Sequence, residues 1–313
     1  MADKKATRES YGAALAELGE KYDFLVLDAD LAAATKTGVF KKKFPERFFD
    51  CGIAEGNMMC VAAGIAATGK TVFASSFAMF AAGRAFEQVR NAIGYPHLNV
   101  KIGATHAGIT VGEDGATHQC NEDMALMRTI PGMTVICPAD ANEAYAATEA
   151  AINTYGPVYL RFGRYAVPTV TDIPDYKFEI GKGVTLRDGS DVTLVATGYM
   201  VHLALEAAEL LKADGIDARV INIHTVKPLD NELLVKAARE TGAIVTAEEH
   251  NVIGGLGAAV CEAVSEACPV PVKRVGVEDW FGRSGKVPEL LEIYGLTAEN
   301  IRAKAKAAVA MKK

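Results

Sequence analysis

Residues 105–123, THAGITVGEDGATHQCNED, hold His106, Glu113, Asp114 and His118 among glycines and alanines. A stretch this rich in Gly cannot build its own core, and long ordered loops of that kind are usually functional. Two imidazoles and two carboxylates supply hydrogen-bond donors and acceptors together, which suits a polyhydroxylated substrate. A metal site is one alternative, although His106 and His118 lie twelve residues apart without helical register. Imidazoles that merely cap backbone groups are another. A further acid, Glu55, stands at the head of an apolar helix spanning 57–68, rich in Ala, Val, Ile and Met. Such a helix is buried, so Glu55 faces protein. The helix N-terminus favours its charge and burial disfavours it. Glu55 is then either a first-turn residue that steadies the helix or a proton-handling group in a closed site.

Around these lie other candidates. Phe77 and Phe80, beside Ala78, Ala81, Ala82 and Gly83, are spaced as core residues or as a slot for a flat ring. Arg161 and Arg164, in LRFGR, follow a strand end, where arginine suits a carboxylate or phosphate. No Walker loop, no GxGxxG after the first strand and no GxSxG elbow occurs, and GGLG at 254–257 is weak evidence for phosphate binding.

The elements that must position these groups alternate. Helix 7–21 precedes strand 24–28, and strands at 48–50, 72–75, 98–102, 133–136 and 158–160 alternate with helices at 57–68, 77–93, 122–129 and 140–154. Asp140 is the expected N-cap of the last of these. This pattern predicts an α/β fold with a mostly parallel sheet, and in such sheets ligands bind beyond the C-terminal strand ends. Asp28, Asp30, Glu55, Ser75, Ser76 and the 105–123 segment all sit there. Composition changes at 166–190, which carries two prolines in AVPTVTDIP and a DG turn, as a linker with a small hairpin would. A second α/β unit begins at about residue 190. The expected division is 1–175, a linker at 176–189, and 190–313.

Half of the 313 residues are apolar and 23% are charged, an ordinary soluble composition. The net charge of -6 leaves no basic footprint for nucleic acid or acidic membranes. MADKKATRES lacks the apolar core of a signal peptide, and no apolar run reaches membrane-spanning length. The six cysteines form no CxxC pair and read as reduced thiols of a cytoplasmic protein.

GIAEGNM, SSFAMFAAGRAFEQVR, THAGITVGEDGATHQ, CPADANE, TVKPLD and EEHNVIGGLG occur in the order seen in transketolases. The sequence resembles the C-terminal half of a transketolase over nearly its full length, and VGEDGATHQ is the most specific part. Deoxyxylulose-phosphate synthases and β subunits of 2-oxo acid dehydrogenases share the architecture but match this stretch less well. The resemblance implies a pyrimidine-binding domain, a transketolase C-terminal domain, and thiamine diphosphate as cofactor. It implies that Glu55 hydrogen-bonds the aminopyrimidine and promotes its imino form, that Phe77 stacks on that ring with Phe80 beside it, and that Asp30 and Leu31 lie near the cofactor. It also implies that His106, Asp114 and His118 hold sugar hydroxyls, with Glu55, His106 and His118 the catalytic set, and that Arg8 and Arg161 grip the sugar phosphate.

Two departures stand out. The family often has a Ser in the turn after ADL that touches the phosphate; here the place is Ala34, followed by Thr35, Lys36 and Thr37. The family's diphosphate domain carries GDG and a later Asn, which hold Mg²⁺, and no GDG occurs in this chain. The expectation is a split transketolase: this chain as the C-terminal subunit, Mg²⁺ and the diphosphate held by a separate N-terminal subunit, and two copies of each chain in a heterotetramer. A variant ketol-transfer enzyme and a non-catalytic scaffold of the same fold are the competing readings.

Overall fold

The computed structural model describes residues 4–312. The first three residues, part of the expected polar lead into the first helix, lie outside the described residues, as does Lys313.

Two sheets organise the chain. The first has seven strands in the order Thr225–Lys227, Thr134–Ile136, Val158–Arg161, Val100–Thr105, Thr71–Phe77, Phe24–Asp28, Phe48–Asp50. All neighbours are parallel except Thr225–Lys227, which runs antiparallel to Thr134–Ile136. The second has five strands in the order Val272–Val277, Ile244–Asn251, Val192–Ala196, Ala218–Asn222, Val184–Arg187, and only the last is antiparallel. The α/β class with two mostly parallel sheets is therefore what forms.

Alternation along the strands explains why each sheet is covered on both faces. In Thr71–Phe77, Val72 and Ala74 pack with Met58, Met59 and Ala62 of helix Glu55–Ala66. Phe73, between them, packs on the other face with Tyr11 and Leu15 of helix Thr7–Leu18. In the second sheet Leu194 packs with Leu211 and Ile301, and its neighbour Val195 with Leu234 and Val260. Met58 is fully buried, so truncating it to Ala costs about 2–5 kcal/mol. Gly103 sits where only hydrogen fits: a Cβ there would meet the Tyr11 hydroxyl at 2.1 Å, and that hydroxyl bonds Ser75 Oγ at 2.7 Å.

Two expectations about elements fail, and one strand was not expected. The helix expected at 77–93 begins later, because Phe77 is the last residue of strand Thr71–Phe77. The helical stretch beyond it is widened at Met79–Arg84 and Val89–Gly94, with backbone bonds such as Ala85 N–H to Phe80 O that span five residues. Such widened turns recur at functional sites. The linker forms no hairpin of its own: Val167–Pro168 pairs with Lys4–Lys5, and Val184–Arg187 pairs with Ala218–Asn222 in the second sheet. The DG turn leads from an edge strand into a central one, so the two strands flanking it never meet. The strand Thr225–Lys227 escapes a sequence reading, because a three-residue strand before Pro228 reads as a turn.

Candidate active site

The first sheet's strands end at one rim, and the turns there are clamped by acids. Asp50 accepts from Asp30 N–H at 3.1 Å and Gly52 N–H at 3.0 Å. Asp28, fully buried, accepts from Leu31 N–H at 2.6 Å, Thr35 Oγ1 at 2.7 Å and Thr37 Oγ1 at 2.8 Å. Burial pushes its carboxyl up to about 6 against the pull of those bonds. Thr35 and Thr37 are thus spent on Asp28, and between them Lys36 is left partly exposed, in a left-handed conformation with φ 71°.

Glu55 is the first residue of helix Glu55–Ala66 and is only 1% exposed. Its Oε2 accepts from Arg84 Nη1 at 2.9 Å. Phe80 carries the Arg84 guanidinium over its ring at 4.4 Å and lies parallel to Phe77, centroids 5.9 Å apart. Ala29, Asp30, Leu31, Ile53, Glu55, Phe80, Arg84, Thr117 and His118 line an open cavity of 410 Å³. A second crevice of 690 Å³ shares Phe80, Arg84 and Thr117 with it and opens beside the exposed Trp280 and Phe281.

The Gly-rich segment folds over this rim as a tight helix, Ile109–Asp114, between Gly108 and Gly115, both at positive φ. It is tied down from the second unit: Ser284 Oγ donates to Glu113 O at 2.6 Å, Gln119 Nε2 donates to Arg283 O at 3.0 Å, and Thr110 N–H donates to Glu249 Oε1 at 2.5 Å. His118 presents its edge to Phe80 at 5.3 Å. His106 follows the strand Val100–Thr105 with φ 57° and is buried against Phe77. Its Nε2 lies 3.1 Å from Arg8 Nη1 and its Nδ1 2.9 Å from Thr105 Oγ1. A guanidinium only donates, so Nε2 accepts and the proton sits on Nδ1. Burial, then the charges of Arg8, Arg164, His118 and Lys36, hold its pKa down at about 3.

The structure therefore gathers Asp30, Leu31, Glu55, Phe80 and His118 on one cavity, with Phe77 supporting Phe80 from beneath and His106 behind Phe77. Arg8 bonds Ala34 O at 2.7 Å and reaches His106. Phe80, rather than Phe77, is the ring that faces the cavity. Arg161 does not join. It is buried with Asp123, Nε to Oδ2 at 2.8 Å, and donates to Glu249 O at 2.9 Å. As the last residue of strand Val158–Arg161 it is held within the layers, whereas Arg164, past the strand end, stands 3.7 Å from Asp114. The sequence singles out both arginines, and Arg164 is the better placed of the two. Arg84 joins the site without having been expected there, and of Thr35, Lys36 and Thr37, the residues beside the missing serine, Lys36 is the one whose charge acts on His106. The signal for Arg84 was its place one helical turn after Phe80.

The chain matches the family model for the transketolase pyrimidine binding domain over residues 3–169 and that for the transketolase C-terminal domain over 181–301. It is 52% identical over 304 residues to a protein of Methanocaldococcus jannaschii provisionally named a transketolase C-terminal section, covering 95% of this chain and 94% of that one. It is 47% identical to a 6-deoxy-6-sulfo-D-fructose transketolase subunit of Clostridium sp. strain MSTE9, over 94% and 91% of the two chains. Among solved structures, one of a split gene transketolase, an inactive beta4 tetramer, superposes with a TM-score of 0.91 at 54% identity, covering 99% of this chain and all of that one.

Proposed function

The chain belongs to the transketolase family, and from that premise we propose that it is the pyrimidine-binding, C-terminal subunit of a split transketolase. In this reading it moves a two-carbon ketol unit from a ketose phosphate to an aldose phosphate together with a separate diphosphate-domain subunit. The observation that carries the reading is the pairing of a buried carboxylate, Glu55, with an aromatic face, Phe80, on a 410 Å³ cavity. That pair suits one half of thiamine diphosphate: a flat, basic pyrimidine with a ring nitrogen to bond and a π-face to cover. When bound, thiamine diphosphate supplies the carbon nucleophile of ketol transfer.

This chain's own residues have distinct tasks. Glu55 bonds the pyrimidine nitrogen and governs its proton, Phe80 covers the ring, and Asp30, Leu31 and Ile53 border it. His118 and Asp114 hold sugar hydroxyls. His106, neutral and fixed by Arg8 and Thr105, keeps a lone pair for a hydroxyl proton once Arg8 turns to the substrate. Arg8, Lys36 and Arg164, whose charges all act on His106, form the end that takes the terminal phosphate. Arg161 stays a structural cation. The partner subunit holds the diphosphate and Mg²⁺, for which no GDG is present here. Two copies of each subunit form a heterotetramer in the cytoplasm. No helix among the described residues is long and apolar enough to cross a membrane.

A sulfonated sugar is a second reading of the substrate, favoured by the same cation cluster, since a sulfonate is also a terminal oxyanion and a similar subunit is named for a sulfosugar. The test is ketol transfer from xylulose 5-phosphate, with thiamine diphosphate and Mg²⁺, by this chain with and without a diphosphate-domain subunit. Activity is expected only with both. Full turnover by this chain alone would refute the split assignment.

A further inference from the structure

Arg84 touches both groups that face the cavity floor. Its Nη1 donates to Glu55 Oε2 at 2.9 Å, and its guanidinium carbon lies 4.4 Å from the centre of the Phe80 ring. A guanidinium is flat and cationic: it offers a carboxylate N–H donors from its edge and an aromatic ring its face. A protonated aminopyrimidine offers the same two things. Of the two ion-pair partners, the Glu55 side chain is 1% exposed and the Arg84 side chain 53%, so the acid is fixed and the cation is the movable member. Among the described residues no other cation lies within ion-pair distance of Glu55. The widened turn Met79–Arg84 carries both Phe80 and Arg84. The 690 Å³ crevice that Arg84 also lines gives the side chain open space on its other side.

We infer that Arg84 is a stand-in for the cofactor's ring: it neutralises the buried Glu55 carboxylate and covers Phe80 until the pyrimidine displaces it into the neighbouring crevice. The inference rests on the functional reading above. It accounts for an arginine on a site whose ligand is itself cationic when protonated. It also makes Arg84 a competitor whose departure is part of loading the enzyme.

Arg84→Met keeps the length and apolar stem and removes the charge. In the chain alone it lowers the unfolding temperature, and the loss disappears when Glu55→Gln is present as well, because the pair is then already broken. In the assembly with the diphosphate-domain subunit, thiamine diphosphate titrated by intrinsic fluorescence binds Arg84→Met about two- to fivefold more tightly than wild type, the factor for first opening an ion pair whose cation is half exposed to solvent. Unchanged or weaker binding, with wild type binding normally, overturns the inference; weaker binding would mean that Arg84 holds the ring in place. No binding by the wild-type assembly brings down the functional reading, and this inference with it. Should Arg84→Met fail to assemble, Arg84→Lys, which keeps the charge but loses the flat face, tightens binding by a smaller factor, and no change again overturns the inference.

Discussion

The His106 imidazole lies nearly parallel to the Phe77 ring with centroids 3.8 Å apart. Its other contacts leave it no acid to pair with: Arg8 stands at Nε2 and the Thr105 hydroxyl at Nδ1. A ring so enclosed is neutral throughout the working range. Burial first, then the charges nearby, Arg8 foremost, take its pKa from 6.5 to about 3.

The first prediction rests on that value. The unfolded chain binds the His106 proton below about pH 6.5 and the folded chain only below about 3, so this residue's share of stability is present above 6.5 and is lost as pH falls toward 3. Asp28 acts in the opposite sense. Its folded pKa of about 6 exceeds the ordinary 3.8, so its share is present below 3.8 and is lost as pH rises through 6. Ring nitrogen shifts tracked by NMR should show His106 as the Nδ1–H tautomer with no titration down to pH 5. A midpoint near 6.5 would contradict the enclosure by Phe77, Arg8 and Thr105.

The second concerns Glu55. Glu55→Gln keeps the size and a hydrogen bond but cannot exchange a proton, and Glu55→Ala leaves a hole beside the ring. Both variants should assemble with the partner subunit. Both should lose at least about 10²-fold in kcat at saturating cofactor, the lower end for general acid–base catalysis. Near-normal turnover by Glu55→Gln would return this acid to a helix-capping role.

The third separates two arginines three residues apart. Arg164→Ala should raise KM for a phosphorylated donor far more than for hydroxypyruvate, by about 1.5–3 kcal/mol for lost bonds to a charged group. Arg161→Ala should instead cost about 3–5 kcal/mol in urea unfolding, because it leaves Asp123 buried without its cation. If the two variants exchanged these behaviours, the phosphate end would lie at Arg161.

The fourth tests Lys36. Its left-handed backbone is wedged against the first helix, where a Cβ on Gly12 would lie 2.5 Å from both Lys36 Cβ and Lys36 O. Gly12 is one turn from Arg8, so Lys36 belongs to the same cationic end. Lys36→Leu should raise KM for phosphorylated donors and flatten its dependence on ionic strength, with hydroxypyruvate little affected. Equal changes on both donors would show that the turn serves the fold alone.

Much of the fold was legible because buried parallel strands and amphipathic helices leave long, regular signals, as in 24–28 and 140–154. The failures came where tertiary pairing outweighs local pattern. Phe77 looked helical because small residues come after it, yet strand Val100–Thr105 draws it into the sheet. Thr225–Lys227 is too short to register by itself. At the site, residue types at strand ends pointed to Glu55, Phe80 and His118, which share the cavity. Choosing between Arg161 and Arg164 required knowing on which residue the strand ends, and boundaries are the least certain part of a sequence reading. Arg84 could be tied to Glu55 only by the crossing of two helical segments distant in the chain.

The strand Thr225–Lys227 crosses from the second unit to complete the first unit's sheet. The two matched regions, 3–169 and 181–301, are therefore not exchangeable modules. Separating the two would strip Thr134–Ile136 of its outer neighbour and leave a bare edge open to pairing with other chains. A seam that looks like a natural place to divide this polypeptide is the place where dissection would do most harm. Grafting either half onto a related enzyme must carry residues 225–227 along with the first half's sheet.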